Sequence, residues 1–477
     1  MIKITCNNTV YTYNLYHICK AFFPNKEIMQ NVDDKQEPLV KLELDGGSCF
    51  SVAGTELPEG LDRQEQKMRV TKIVYDHLTE FTEKKLAWGM LTGVRPTKLA
   101  MQKIESGLSE EESIRFLQEK YGVSEEKSNL AVDIAQREKK LLSCLDYKDG
   151  FSLYAGIPFC PSICSYCSFS SSPIAVWKDK TDAYLDALCK ELKAIAELTK
   201  GKKLNTVYIG GGTPTTLNEK QLQILLDAIT ARIDPATLEE FTVEGGRPDT
   251  ITEEKLRIIH EHGVNRVSIN TQTLNDDVLE LVGRKHTSAE FYRAFEMARK
   301  ANIPIINTDL IAGLPGEGFC SFSDTIDRII ELRPENLTFH TLAIKNAADF
   351  AQQKDHMKSM HMFSETSKCV DYSQLSAKNA GYIPYYIYRQ KNTVNNLENV
   401  GFALPGTEGL YNIYMMEEIQ TIFAVGAGAV SKMVSRDGKS IERIFEYKYP
   451  YEYLADPDGM KNKEKREKSL HFYHNIW

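Results

Sequence analysis

Residues 151–170 read FSLYAGIPFCPSICSYCSFS, an apolar run that leads directly into three cysteines. Cys160, Cys164 and Cys167 are separated by three and then two residues, so they lie on one short loop. Three thiolates at this spacing can ligate three irons of a four-iron cluster and leave the fourth iron without a protein ligand. The alternatives are three buried cysteines or a zinc site. Zinc usually takes four ligands, or three with His or acidic partners nearby, and this loop has no histidine. We therefore predict an iron–sulfur cluster with one open iron.

The composition is that of an ordinary globular protein. A length of 477 residues allows two or three domains of about 100–200 residues each. The net charge of -8 gives no general reason to bind nucleic acid or an anionic membrane. The sequence starts without a signal-peptide pattern and has no run of ~18 apolar residues, so we expect a cytoplasmic protein with no membrane partner. Seven of the ten cysteines are scattered, which fits a reducing compartment.

After residue 150, short apolar runs alternate with helical patterns, which predicts βα units and a parallel sheet. The predicted strands are Leu153–Ile157, Thr206–Ile209, Glu240–Val243, Arg266–Asn270, Ile305–Ile311 and Leu337–Leu342. Predicted helices lie between them, near residues 181–199, 218–232, 252–262, 288–301 and 321–332. Six units predict an α/β fold with a partial (β/α)6 barrel. The chemistry of such barrels gathers at the carboxyl ends of the strands, and the cysteine loop lies at one of those ends.

Small or polar residues stand at the ends of the other predicted strands. They are Gly210–Gly212 with Thr213, then Glu244, Gln272 and Asp309. A glycine run is usually a tight turn, and a strand-end acid is usually solvated. However, a backbone without side chains can approach a bound ligand closely. Because all of these residues are predicted at the same end of the sheet, they favour a ligand site there.

We expect three domains. Residues 1–148 are predicted to form a mostly helical accessory domain, 149–345 the barrel, and 346–477 a smaller α+β region that covers the substrate. In the first domain, short strand patterns at Ile2–Ile4 and Leu39–Leu44 precede helical patterns at 63–86, 109–121 and 124–142. The segment WGMLTGVRPTKL at 88–99 is interpreted as a packed interdomain loop, or as a source of Arg95 and Lys98 for acidic substrate groups. The run KNKEKREK at 461–468 predicts a solvated helix.

The cysteine loop, the triple glycine and the runs RVSINTQ and DLIAGLPG together resemble the oxygen-independent coproporphyrinogen III oxidase family of radical S-adenosylmethionine (SAM) proteins. The resemblance covers about residues 150–435. The segments WG-x-LTGVRPTK, YRQKN and GAGAVSK are similar to those of the coproporphyrinogen dehydrogenase subgroup of that family, HemZ. These long segments are more specific than the three cysteines.

The resemblance implies that Cys160, Cys164 and Cys167 hold a [4Fe-4S] cluster whose open iron binds SAM and whose electron cleaves it to a 5'-deoxyadenosyl radical. It implies two SAM molecules, with Tyr154 and Glu244 as catalytic residues. The implied SAM contacts are Tyr154, Tyr166, Gly211, Gly212, Thr213, Glu244, Gln272, Arg284, Asp309 and Ala343. These residue types suit the ligand: a glutamate accepts from an ammonium, an arginine clamps a carboxylate, and an aspartate accepts from ribose hydroxyls.

The implied activity is the oxidative decarboxylation of two propionates of coproporphyrinogen III, which gives protoporphyrinogen IX. The implied partners of a monomeric enzyme are this tetrapyrrole, a low-potential electron donor such as flavodoxin or ferredoxin, and an unidentified acceptor. No nucleic-acid partner is expected. The run YYIYRQKN at 385–392 is either a surface strand or a wall of the substrate site, where Arg389 and Lys391 pair with propionates.

The sequence departs from the family in two places, and two other functions stay open. Ser168-Phe169 lacks the further cysteine of the best-characterised oxidases, and the run from Glu244 to Pro248 is one residue longer than usual. A sister family of heme chaperones carries a histidine tied to heme binding where Tyr411 stands here. His340 is an alternative ligand, although a lone strand-end histidine is more often structural. A radical SAM enzyme that methylates or opens a tetrapyrrole is the third possibility.

Overall fold

The protein is described from a computed structural model, which covers residues 1–24, 26–146, 150–231, 233, 237–343, 365–390, 393–456 and 460–475. These residues divide into two compact units. The smaller unit contains residues 1–136 and 388–398, and the larger contains 137–387 and 399–477. The predicted boundaries at 148/149 and 345/346 stay a prediction.

The smaller unit combines a four-stranded sheet with helices. The strands are β1 (Ile2–Cys6), β2 (Ile28–Val32), β3 (Val40–Glu43) and β4 (Cys49–Val52), in the order β2-β1-β3-β4. The helices are α1 (Thr9–Phe22), α2 (Arg63–Thr82), α3 (Thr97–Glu105), α4 (Glu110–Tyr121) and α5 (Glu125–Ser143), whose residues from Arg137 onward are assigned to the larger unit. Asp62 and Ser109 start α2 and α4 with capping boxes, in which side chain and backbone satisfy each other's hydrogen bonds. The sequence patterns did not indicate α1, β2 or β4.

Two segments singled out in the sequence pack together in this unit. The Trp88 indole donates to Glu398 at 2.7 Å, and Lys127 forms a buried ion pair with the same carboxylate at 2.8 Å. The buried Arg389 guanidinium donates to the carbonyls of Leu91 and Asn396. Arg389 is therefore not on a surface strand, and it is engaged with backbone rather than open to a propionate. Lys391 lies outside the described residues.

A sheet of eleven strands, nearly all of whose residues belong to the larger unit, has the order β13-β14-β12-β11-β10-β9-β8-β5-β15-β16-β17. The strands of the predicted barrel are β5 (Gly150–Ile157), β8 (Lys203–Gly211), β9 (Glu240–Glu244), β10 (Arg266–Ser268), β11 (Ile305–Ala312) and β12 (Asn336–Thr341). The others are β13 (Ile383–Arg389), β14 (Glu398–Ala403), β15 (Thr421–Val425), β16 (Val430–Val434) and β17 (Ile441–Phe445). A separate pair, β6 (Phe159–Cys160) and β7 (Ser172–Pro173), belongs to the cysteine loop.

The six predicted βα strands are adjacent and parallel, so the predicted α/β architecture is confirmed. The barrel helices are α6 (Ile174–Trp177), α7 (Thr181–Leu198), α8 (Glu219–Thr230), α9 (Glu253–Glu261), α10 (Asp276–Leu281), α11 (Ser288–Lys300) and α12 (Phe319–Leu332). Helices α7 to α12 bury apolar residues; α12, for example, buries Phe322, Ile326 and Ile329. Strand β10 is shorter than predicted. It was expected to reach Asn270 but ends at Ser268, because the side chain of Asn270 hydrogen-bonds to Asp309.

Among the described residues after the barrel, the helices are α13 (Thr366–Asn379), α14 (Leu410–Glu417), α15 (Pro450–Leu454) and α16 (Met460–Asn475). The predicted helix at 461–468 is therefore present, but the prediction that it is solvated is wrong at Lys465. That side chain is 2% exposed and pairs with Glu191 at 2.5 Å and Glu446 at 2.6 Å. Lys465 is buried because it forms ion pairs with two buried carboxylates, and a run of charges in the sequence does not reveal these partners.

Within the described ranges, no helix is long and apolar enough to cross a membrane.

Candidate active site

The cysteine loop follows β5 and is tied down by hydrogen bonds on both sides. The Cys167 backbone N–H donates to the Cys164 carbonyl at 2.9 Å, which forms a tight turn. The hydroxyls of Ser162 and Ser165 donate to the carbonyls of Gly283 and Val282 at 3.2 and 3.1 Å. The loop is therefore held between its own strand pair and the segment after α10.

The three thiols lie in largely buried surroundings. Burial raises the pKa of Cys160 and Cys167, which means that their thiolates need a compensating positive charge. Thr213 donates its hydroxyl to Cys160 Sγ at 3.5 Å, and Arg284 Nη1 approaches Cys164 Sγ at 3.9 Å. In the described part of the chain, no three His, Cys, Asp or Glu side chains are grouped to hold a single metal ion.

The triple glycine packs directly against this loop. The N–H groups of Gly212 and Thr213 donate to the carbonyls of Ile157 and Phe159 at 2.8 and 2.7 Å. A Cβ on Gly212 would lie 2.6 Å from the Phe159 oxygen and 2.9 Å from Cys160 Sγ. Gly211 has φ +115°, a conformation that favours glycine. The run is therefore a close approach of backbone to the cysteines as well as a turn.

Glu244 ends β9 beside these glycines and is not a solvated acid. Burial is the main reason that its pKa is raised to about 7, and the nearby Asp309 raises it further. The Tyr208 hydroxyl donates to Glu244 Oε1 at 2.5 Å, and a backbone hydrogen bond from Gly211 also stabilises the charged form. The carboxyl group is thus poised to change charge near neutral pH.

Asp309 is partly buried as well, but its pKa is lowered. Burial alone would raise the pKa, yet interactions with His340 and a hydrogen bond from Asn307 outweigh it. The side-chain amides of Asn270 and Asn307 each donate to the carboxylate at 2.9 Å, and His340 Nε2 lies 3.7 Å away. Asp309 therefore stays charged, and His340 is engaged with it.

Arg284 joins the cysteine loop to the ends of β9 and β10. Its Nη2 donates to the carbonyls of Gly246 and Asn270, and its Nη1 approaches the Tyr166 hydroxyl at 3.3 Å. Burial opposes its charge, but Tyr166 and Cys164 more than compensate, so its pKa is raised. The guanidinium Nε has no partner among the described residues. The predicted clamp on a SAM carboxylate stays a prediction.

Two other predicted contacts lie at the same end of the sheet. Gln272 has φ +74° and donates its backbone N–H to the Asp309 carbonyl at 3.1 Å. Its buried Oε1 has no partner within the described ranges. Ala343 follows β12 as the last residue before the 344–364 gap.

Three tyrosines form a stack beside Glu244, and only Tyr154 was among the predicted site residues. Tyr208 lies 4.4 Å from Tyr411 and 6.2 Å from Tyr154 between ring centroids, with interplanar angles of 21° and 15°. A signal for Tyr208 was present in the sequence, because it stands two residues before Gly210 on the same face of the strand. Tyr411 comes from α14, so only tertiary structure brings it here.

The residues present fit a four-iron cluster with bound SAM. The donor set is three thiols on one loop, and the adjacent backbone is glycine where a Cβ would meet Phe159 and Cys160. Buried groups without partners among the described residues, Gln272 Oε1 and Arg284 Nε, face no protein donor or acceptor and are available to a ligand.

Comparison with known proteins agrees with this geometry. Residues 154–329 match the model of the radical SAM superfamily. The chain is 39% identical over 370 residues to the oxygen-independent coproporphyrinogen-III oxidase-like protein HemZ of Bacillus subtilis, which covers 77% of this chain and 74% of HemZ. It is 30% identical over 322 residues to the heme chaperone HemW of Lactococcus lactis, covering 67% and 80% of the two chains.

This chain belongs to the HemN/HemZ/HemW family of radical SAM proteins.

Its fold is that of the family. The solved structure of Escherichia coli coproporphyrinogen III oxidase (HemN), a radical SAM enzyme, matches with a TM-score of 0.54 at 24% identity, covering 69% of this chain and 78% of HemN. Membership of the radical SAM superfamily implies a [4Fe-4S] cluster and SAM. The residue-by-residue assignment of their ligands stays a prediction.

Proposed function

We propose that this HemN/HemZ/HemW family member is an enzyme that converts coproporphyrinogen III to protoporphyrinogen IX by oxidative decarboxylation of two propionates. The supporting observation is the 39% identity to HemZ over about three quarters of both chains. Each propionate loses carbon dioxide, one hydrogen atom and one electron, and becomes a vinyl group. A carboxylate on a saturated chain is not readily lost as carbon dioxide by an ionic reaction. A hydrogen atom must therefore be abstracted from the ring-side carbon of the propionate, after which the bond to the carboxylate breaks, carbon dioxide and one electron leave, and the vinyl double bond forms.

Bound cluster and SAM would supply that radical chemistry. Cys160, Cys164 and Cys167 would hold the cluster, and the backbone of Gly211 and Gly212 would approach the methionine part of SAM. Glu244 would accept from the SAM ammonium, because it is a partly buried acid that ionises near neutral pH.

Arg284 and Asp309 complete the proposed SAM site. Asp309 stays ionised and so can accept from ribose hydroxyls. Arg284 would bind the SAM carboxylate. A second SAM molecule, sharing some of these residues, and a low-potential electron donor protein complete the proposal.

A heme chaperone is the second candidate, favoured by the 30% identity to HemW over 80% of that protein. Tyr411 stands where the sister family has its histidine. Its ring is buried in the tyrosine stack, and its hydroxyl has no partner among the described residues. The enzyme is preferred because that histidine is absent. Methylation or ring opening of a tetrapyrrole would use the same SAM residues.

Product identity tests the proposal. The cluster-loaded protein is given coproporphyrinogen III, SAM, a low-potential reductant and an electron acceptor without oxygen, with the Cys164→Ala protein as control. Mass spectrometry should show two successive losses, each of carbon dioxide and two hydrogens, through a monovinyl intermediate. 5'-Deoxyadenosine and methionine should form alongside.

Other products would overturn the proposal in distinguishable ways. An added methyl group or an opened ring would identify a different radical SAM reaction. Tight heme binding with untouched porphyrinogen, under conditions where SAM is cleaved, would identify the chaperone.

A further inference from the structure

The hydrogen bond from Tyr208 to Glu244 lies at the centre of the proposed SAM site but has no assigned role. Tyr208 is near the carboxyl end of β8, and its hydroxyl donates to Glu244 Oε1 at 2.5 Å. A Cβ on Gly210 would lie 2.9 Å from the Tyr208 ring and 3.1 Å from the Glu244 carboxyl carbon. The glycine therefore leaves the space in which these two side chains meet.

The direction of the Tyr208 hydroxyl is fixed by its neighbours. Its ring is stacked on Tyr411 at 4.4 Å and lies nearly parallel to Tyr154. Such aromatic contacts limit the rotation of the ring. Tyr208 therefore presents its hydroxyl to Glu244 from a rigid support.

The groups that face Glu244 come from four elements. Tyr154 on β5, Tyr208 on β8, Asp309 on β11 and Tyr411 on α14 all interact with it electrostatically. Burial and Asp309 favour the neutral carboxylic acid, whereas Tyr208 and the Gly211 backbone favour the carboxylate. Only the carboxylate attracts an ammonium group, so the balance between these effects controls ligand binding.

We propose that Tyr208 is a positioning residue for SAM: its hydroxyl orients the Glu244 carboxylate and keeps it ionised for the SAM ammonium. This inference rests on the proposed function, which assigns the ammonium to Glu244. Tyr208 acts through Glu244 and is not itself in the reacting group.

The test is SAM binding by equilibrium dialysis to cluster-loaded, unreduced protein without oxygen, between pH 6 and pH 9. Tyr208→Phe keeps the ring stack and removes only the hydroxyl. We expect the dissociation constant to rise about tenfold at pH 7, as for a lost hydrogen bond to a charged group. The ratio to the unmodified protein should fall by pH 9, because Glu244 then ionises without help and only the orienting effect of the hydroxyl remains. Comparing ratios cancels the titration of SAM itself.

A matched control is Tyr372→Phe, whose hydroxyl also donates to a carboxylate, Asp327, at 2.8 Å on the exposed face of α13. It should leave SAM binding unchanged. In a Glu244→Gln background, Tyr208→Phe should add no further loss, because the group it acts through is already uncharged.

Two results would show that Tyr208 only packs: the same rise in the dissociation constant at every pH, or a loss of SAM affinity that adds to the loss caused by Glu244→Gln. Either result would overturn this inference and leave the proposed function standing. If the unmodified protein with a full cluster does not bind SAM, the proposed function fails first. Should Tyr208→Phe lose its cluster, infrared titration of carboxyl groups in cluster-free protein decides: the Glu244 signal must titrate at higher pH in the variant, and an unshifted signal contradicts the inference.

Discussion

Glu244, at the end of β9, and Asp309, within β11, are both partly buried acids, yet their pKa values move in opposite directions. Glu244 is raised to about 7 by burial, with help from Asp309, while Asp309 is lowered because His340 and Asn307 outweigh its burial. Two acids with separated pKa values can serve two different roles in one site. Here Asp309 stays ionised, whereas Glu244 can change its charge near neutral pH.

The cysteine assignment is tested by single substitutions. Cys160→Ala, Cys164→Ala or Cys167→Ala should abolish the cluster, because two remaining thiolates are too few to hold it. Cys189→Ala and Cys369→Ala are the controls and should keep it. Iron content and the visible spectrum of anaerobically purified protein provide the measurement. A cluster that survives Cys164→Ala would contradict the assignment.

The raised pKa of Glu317 predicts that the stability of the protein depends on pH. Burial raises its pKa to about 7, although Thr273 and Ser321 donate to it. Because the folded pKa is above the ordinary value of 4.5, its stabilising contribution is full below pH 4.5 and is lost as the pH rises through 7. Glu317→Gln should therefore raise the free energy of unfolding at pH 8 by about 1–3 kcal/mol and leave it unchanged at pH 4.

Thermal unfolding at the two pH values measures this effect. Glu331→Gln, an exposed change on α12, is the control and should have no effect at either pH. An equal gain from Glu317→Gln at pH 4 and pH 8 would show that the charge is not responsible.

At the scale of elements, the cysteine loop depends on the end of the neighbouring strand. Gly212 lets the backbone after β8 bond to the carbonyl of Ile157 while passing beside Cys160. The spacing of the cysteines sets which thiolates share a loop. The end of β8 sets where that loop lies.

Gly212→Ala tests this dependence. The added methyl would lie 2.6 Å from the Phe159 oxygen and 2.9 Å from Cys160 Sγ, so backbone must shift. We expect roughly half or more of the cluster iron to be lost, because glycine is what allows the backbone to approach the cysteine loop this closely. Gly93→Ala, with nothing within 4 Å of the new methyl, should retain full iron. Equal iron content in the two variants would show that the close approach is dispensable.

At the scale of the whole molecule, the chain's C-terminal helix is fastened to the barrel sheet by buried charge. Lys465 pairs with Glu191 and Glu446 and donates to the Ala424 carbonyl at 2.6 Å. Glu191 also accepts from the Tyr453 hydroxyl at 2.7 Å. This network connects α16, α15 and β15 to α7 within the larger unit.

Removing the lysine should be costly at neutral pH. Lys465→Met leaves two buried carboxylates without their cation, which typically costs about 3–5 kcal/mol. Burial and Glu191 raise the pKa of Glu446 to about 7, with Lys465 present to lower it. The loss should therefore be large at pH 8 and smaller at pH 5, where Glu446 can be neutral. Thermal unfolding at both pH values tests this, with the exposed Lys463→Met as control. An equal loss of stability in Lys465→Met at pH 5 and at pH 8 would contradict the charge explanation.

The sequence by itself determined the parallel βα units and the loop that carries three cysteines. These features are local: apolar runs, helical spacing and cysteine spacing are all read within about twenty residues. The strand-end acids and glycines were found for the same reason, because the carboxyl ends of parallel strands meet at one edge.

Tertiary structure alone decided which neighbours each group has. Tyr411 reaches Tyr208 across about two hundred residues of sequence, and Lys465 reaches Glu191 in the same way. Burial and charged neighbours, which raise the pKa of Glu244 and lower that of Asp309, depend on packing from several elements. A charge run such as 461–468 looks solvated in sequence because hydropathy does not show a buried partner far along the chain.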